Sequence, residues 1–99
     1  MKILLACNAG MSTSLLVQKM RAEAEAAGLE AVIEAKPLNK ALESVADFDI
    51  LMLGPQISYA KAEAEEFAGG KPVVVITMAD YGRMNAKGII EQARTALVA

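Results

Sequence analysis

Apolar runs of strand length alternate four times with stretches of helical periodicity, and that alternation predicts a βαβαβαβα order. Ile3-Leu4-Leu5-Ala6 is an unbroken apolar run, the signature of a strand buried on both faces. Leu16, Met20, Ala24 and Ala27 then recur at helical spacing, with Gln18, Lys19, Arg21, Glu23 and Glu25 on the other faces. The spacing predicts an amphipathic helix over 13–27, ended by Gly28 and supported by the i,i+4 pairs Lys19–Glu23 and Arg21–Glu25. Residues 30–35 alternate weakly and contain adjacent β-branched residues, which predicts an edge strand terminated by Pro37. A short helix over 38–46 precedes a buried strand over 49–53. The turn Gly54-Pro55-Gln56 and a helix over 58–68 follow, the helix closing at Gly69-Gly70. Pro72-Val73-Val74-Val75-Ile76 is the clearest strand of the chain. A loop from Thr77 to Asn85 leads to a last helix over 86–98.

Strands and helices alternating at these lengths require a parallel sheet with right-handed crossovers and helices on both faces. The expected fold class is α/β, a single four-stranded sheet in the order 2-1-3-4. In such a sheet ligands bind at the carboxyl ends of the strands where the chain switches direction, here strands 1 and 3. Cys7 ends strand 1 and Gly54-Pro55-Gln56 ends strand 3, so two turn-forming segments are expected at one point, with the Thr77–Asn85 loop beside them.

The segment at that point is Cys7-Asn8-Ala9-Gly10-Met11-Ser12-Thr13-Ser14. Gly10 permits a sharp turn that aims several backbone N–H groups at one anion. Ser12 or Thr13 is a natural N-cap, and a helix N-terminus adds free N–H groups and partial positive charge that favour a phosphate or a thiolate. Cys7 is then a nucleophile at the lip of an anion cradle. Against this stands the ordinary fate of a lone cysteine, a small buried hydrophobe, and the hydroxyls of Ser12, Thr13 and Ser14 can serve as caps alone. Met11 is expected to mark a contact surface, Tyr59, Tyr81 and Met84 to lie in the core or, on balance, at the rim, and Asp80 to be an ordinary loop carboxylate.

Composition narrows the chemistry. The chain has 99 residues, enough for one domain over 1–99 with one core; 55% are hydrophobic but only 4% aromatic, so the core is aliphatic with close helix packing. A net charge of −2 with scattered Lys and Arg gives no basic stripe for nucleic acid. The first apolar run is too short for a signal peptide or a membrane span, and a single cysteine forms no internal disulfide. A cytoplasmic protein without membrane insertion, monomeric by default, is expected. The chain contains no histidine. That excludes a Cys-His or Ser-His pair, an imidazole base and the usual zinc sites within this chain, so Cys7, if it is a nucleophile, must be activated by its electrostatic setting. Neither a metal nor a cofactor is expected.

On these residues the whole chain resembles the IIB component of a bacterial phosphoenolpyruvate-dependent sugar phosphotransferase system, of the lactose/cellobiose/chitobiose type. Cys7-x-Ala9-Gly10-Met11-Ser12-Thr13-Ser14 is similar to that family's phosphocysteine loop, and Leu53-Gly54-Pro55-Gln56-Ile57 to its second signature. The resemblance implies a fold like that of low-molecular-weight tyrosine phosphatases. It implies that Cys7 takes a phosphoryl group from a histidine of the IIA component and passes it to a sugar entering through the membrane IIC component. Asn8, Ala9, Gly10, Met11, Ser12, Thr13 and Ser14 would hold the phosphate, with Asn8 and Gln56 as weaker side-chain contacts.

Two other readings use the same cradle. A low-molecular-weight phosphatase reads C-x5-R-[ST]; here Thr13 stands at the Arg position, so the guanidinium clamp is missing, and Tyr81 follows Asp80 where those enzymes have proline after their acid. A flavodoxin-like module for a phosphorylated ligand would leave Cys7 idle.

Overall fold

The apolar run at the start of the chain becomes an inner strand of the sheet. The computed structural model describes residues 1–7 and 14–98. Its strands are β1 (Lys2–Cys7), β2 (Val32–Pro37), β3 (Ile50–Leu53) and β4 (Val73–Val75). All pair in parallel, in the order β2-β1-β3-β4, which is the expected 2-1-3-4. In register, Leu4 lies between Glu34 and Leu51, and Ala6 between Lys36 and Leu53.

The period of two divides each strand between two cores. Ile3 and Leu5 join Ile33, Ile50 and Met52 on one face, covered by Leu16, Val17 and Met20 of α1 (Ser14–Ala26) and by Ile89 and Ile90 of α5 (Ala86–Val98). Leu4 and Ala6 join Leu51 and Leu53 on the other, covered from α2 (Leu38–Ser44) and α3 (Lys61–Ala68). Alanines at the helix contacts, Ala24 and Ala93 on one face, Ala41 and Ala64 on the other, are buried and let the helices approach closely. Connection hand explains the layering: the chain moves one way from β1 to β2 and the opposite way afterwards, so right-handed crossovers put α1 on one face and α2 and α3 on the other.

Both sheet edges are tied by side chains. Arg21 donates from Nε (3.2 Å) and a terminal nitrogen (2.6 Å) to the Ile33 carbonyl of β2, and Gln92 Nε2 donates to the Val75 carbonyl of β4 at 2.9 Å. Such bonds satisfy backbone groups that an edge strand leaves open. Arg21 is thus engaged with the strand rather than with Glu25. Among the described residues the ion pairs are Lys61–Glu65 (3.8 Å) and Arg94–Glu91 (3.1 Å).

Several boundaries differ from the sequence reading, three of them in kind as well as in length. The helix expected over 38–46 ends at Ser44 and tightens into a 3₁₀ turn, Val45–Asp47; Lys71 Nζ donates to the Ala46 and Phe48 carbonyls there. The segment after β3 is a 3₁₀ stretch, Pro55–Ala60, broken at Ile57 (φ −121°, ψ 28°), before α3 begins at Lys61. The Thr77–Asn85 loop contains a short helix, α4 (Met78–Gly82), whose N-cap Thr77 accepts from the Asp80 N–H at 3.1 Å.

The buried sheet should dominate stability. Leu51 is fully buried in β3, and Leu51→Ala is expected to cost about 2–5 kcal/mol in urea unfolding. Lys61→Ala, which opens an exposed ion pair, should cost less than about 0.5 kcal/mol.

Candidate active site

The direction change of the chain between β1 and β3 places the carboxyl ends of these two strands side by side. The ladder runs one step past the last paired residues: Gly54 N–H donates to the Ala6 carbonyl at 3.1 Å, and Ile76 N–H donates to the Leu53 carbonyl at 2.9 Å. Since Ala6 pairs with Leu53, the next register position sets Cys7 beside Gly54. On the other side Cys7 pairs with Pro37.

Cys7 is only 7% exposed, and its thiol donates to the Lys36 carbonyl of β2 at 3.5 Å. It therefore sits deeper than a lip, because the strand that carries it stays paired with β2 to its end and with β3 as far as Ala6. Lys36 turns its ammonium to the Ser44 hydroxyl at 3.0 Å. Ser14 opens α1 and is exposed. The expected phosphate contacts Asn8, Ala9, Gly10, Met11, Ser12 and Thr13, and the N-cap assigned to Ser12 or Thr13, lie outside the described residues.

Gln56 does reach the same place. A Cβ on Gly54 would stand 3.2 Å from Gln56 Oε1, 3.5 Å from Tyr81 Cε1 and 3.7 Å from the Ala6 carbonyl oxygen. Gly54 thus admits two side chains that a larger residue would push apart, and both meet the backbone next to Cys7.

Tyr81 is the residue that sequence reasoning left at the rim without a role. It packs against the core shared by β1, α1 and α5 while its ring edge lies over Gly54. Its segment is cross-tied: Tyr81 N–H donates to the Thr77 carbonyl (2.9 Å), Asn85 N–H to the Asp80 carbonyl (2.8 Å), and Asn85 Nδ2 to Asp80 Oδ1 (3.0 Å). Met84, packed against the same core, takes a left-handed φ of 51° to turn the chain into α5, a conformation uncommon outside glycine. Asp80 is accordingly a scaffold carboxylate, bonded within its own turn. The signal available in sequence was Thr77-x-x-Asp80, a helix-start pattern, which fixes the turn that presents Tyr81.

The connections that follow β1, β3 and β4 leave exposed apolar side chains: Leu15 on α1 (46% exposed), Tyr59 in the 3₁₀ stretch (78%) and Met78 on α4 (78%). Tyr59 is at the rim as expected, whereas Tyr81 and Met84 are half-buried. Among the described residues no three His, Cys, Asp or Glu side chains gather to hold a metal, and no helix is long and apolar enough to cross a membrane.

A doubly wound α/β domain with a cysteine at its switch point is the class that fold and site define. Residues 2–92 match the family described as "PTS system, Lactose/Cellobiose specific IIB subunit". The chain is 44% identical over 98% of its length to the oligo-beta-mannoside-specific EIIB component of Bacillus subtilis, covering 96% of that protein. It is 39% identical over 96% of its length to the cellobiose-specific EIIB component of Lactococcus lactis, covering 94% of it, and equally to the galactose-specific EIIB component of that species. The solution structure of the cellobiose-specific IIB component from Borrelia burgdorferi superposes with a TM-score of 0.81 at 39% identity, covering 98% of this chain and 91% of that one. The lactose-specific IIB domain from Streptococcus pneumoniae shares the fold, with a TM-score of 0.80 at 15% identity, covering 93% and 95%. The chain belongs to the lactose/cellobiose-specific IIB family of the sugar phosphotransferase system, and its activity is sugar phosphoryl transfer.

The Tyr81 phenol is pushed above its ordinary value of 10.0, first by burial and then by the negative charge that Cys7 carries when ionised. The folded state thus holds this proton more tightly than the unfolded chain. The sign follows: the contribution to stability is fully present below pH 10 and is lost as pH rises through the higher folded value. In a spectrophotometric titration of the folded protein, a phenolate band should develop above the ordinary range and be absent from Tyr81→Phe.

Proposed function

We propose that Cys7 is the phosphoryl carrier of this IIB chain. Its sulfur attacks the phosphorus of a phosphohistidine on the IIA component; the P–N bond breaks as the S–P bond forms. A sugar hydroxyl at the IIC component then attacks the same phosphorus and gives up its proton to solvent; the S–P bond breaks, and the thiolate is regenerated. The observation that carries this reading is the placement of the chain's single cysteine at the carboxyl end of β1, at the sheet's switch point, in a chain matched to the IIB family over residues 2–92.

A phosphorylated thiol carries close to two negative charges, and backbone N–H groups at a helix N-terminus hold such an anion without a cation. Asn8 to Ser14 are the proposed phosphate-holding segment, with Gln56 as a further contact. Leu15, Tyr59 and Met78 form the proposed apolar rim on which IIA and IIC dock in turn. The whole of residues 1–99 acts as one cytoplasmic, monomeric IIB domain. The relatives' names carry three different sugars at 39–44% identity, which supports a β-linked or galactosidic sugar whose choice rests mainly with the membrane component.

Transfer without hydrolysis follows from the residues at hand. Thr13 occupies the position of a phosphatase's arginine, the chain has no histidine, and Asp80 is bonded to Asn85. Water is therefore given neither a base nor a guanidinium clamp. Cys7→Ser should fold with wild-type stability to within about 1 kcal/mol and transfer no phosphoryl group to sugar in a reconstituted system; transfer at the wild-type rate would remove Cys7 as carrier. The wild type should show negligible turnover of an aryl phosphate, and robust Cys7-dependent turnover would replace this reading with a phosphatase.

A further inference from the structure

We infer that the Tyr81 hydroxyl is a hydrogen-bond donor to the anion carried at Cys7, sharing with backbone groups the task of holding the phosphoryl group during transfer. The inference rests on the reading of Cys7 as carrier and adds a side chain to it.

Three observations converge on this residue. Cys7 and Gly54 occupy neighbouring register positions one step beyond the Ala6–Leu53 pair, with the Gly54 N–H bonded to the Ala6 carbonyl. By the two-residue alternation, both face the side of the sheet on which Tyr81 packs. The absent side chain of Gly54 leaves room for the outer ring edge of Tyr81, whose Cε1, the carbon next to the one bearing the hydroxyl, would stand 3.5 Å from a Cβ there. The ring carbon beside the one that bears the hydroxyl is thus brought over Gly54, next to the end of β1.

The mounting is cross-tied for so short a helix. Thr77 caps it, and Asp80 and Asn85 lock its exit through one backbone and one side-chain bond. A neutral donor suits the position chemically. An ionised thiol at Cys7 raises the Tyr81 phenol further above its ordinary range, so the phenol keeps its proton when the neighbour is charged and presents it as a donor. It neither gains nor loses that proton in the step; as the S–P bond breaks, the same hydrogen bond stabilises the leaving thiolate. A charge-assisted bond of this kind is stronger than a neutral one, and it costs no reorganisation when the donor is already fixed.

The test is Tyr81→Phe in the full chain, which keeps the ring over Gly54 and removes only the hydroxyl. Wild type and variant are charged from phosphoenolpyruvate through the general phosphotransfer proteins and IIA. Phosphocysteine is then followed by its phosphorus resonance, and transfer by steady-state kinetics against IIA. The inference predicts a displaced phosphorus resonance, a kcat lower by about ten- to hundredfold, and a KM for IIA within about twofold of wild type. An unchanged resonance overturns it, whether kcat/KM is wild-type or falls through KM alone, since the latter is a docking effect. Failure of the wild type itself to carry phosphate on Cys7 would instead overturn the carrier reading, and this inference with it.

Discussion

The pairing of β1 with β2 on one side and β3 on the other is the constraint on which the rest depends. Ile3, Leu4, Leu5 and Ala6 are almost wholly buried, so this strand can lie only where both of its edges and both of its faces are covered. Placing it inside the sheet obliges the chain to leave in one direction for β2 and return past it to reach β3. The reversal produces the crevice at the strand ends, and the residue next after the buried run is Cys7. The same apolar pattern that builds the core therefore also sets the position of the thiol.

In the proposed mechanism, charge at that position is handled by neutral groups. The Cys7 thiol already lies within reach of the Lys36 carbonyl, and the nearest cation on that strand, Lys36, is directed to Ser44. A fixed guanidinium or ammonium at the phosphorus would hold the phosphoryl group strongly but would also favour its loss to water. Dipoles and neutral donors, the groups proposed for this site, would stabilise a charged intermediate while leaving the next step to an acceptor brought by a partner. In this account the polar interior of the site and the apolar rim of Leu15, Tyr59 and Met78 have separate duties, one toward the anion and one toward the docking proteins.

The architecture was legible because its signals are strong and redundant. Three apolar runs, the Gly28 and Gly69 stops with their left-handed φ values, and the amphipathic spacing of Leu16, Met20 and Ala24 all point to one topology. Less was legible where short-range geometry decides. Pro55 and the broken dihedrals at Ile57 shorten what looked like one helix, and Val73–Val75, the clearest strand by composition, is only three residues long. Arg21 reads as half of an i,i+4 pair, yet the edge-strand carbonyl of Ile33 competes for it and wins with two bonds. Tyr81, which by its sequence can belong to core or rim, is half-buried and belongs in part to both. Its loop contains Thr77-x-x-Asp80, and only the folded turn shows that this cap swings the ring back over Gly54.

These points reduce to one chemical claim, that the thiol at the end of β1 bears the phosphoryl group. The most direct measurement charges the wild-type chain from phosphoenolpyruvate through the general phosphotransfer proteins and a IIA component, then locates the added mass by peptide mapping under conditions that preserve phosphocysteine. The account predicts one phosphate per chain, on Cys7, discharged on addition of membranes containing IIC and its sugar. Phosphate on any other residue, or none in the presence of active IIA, would contradict it.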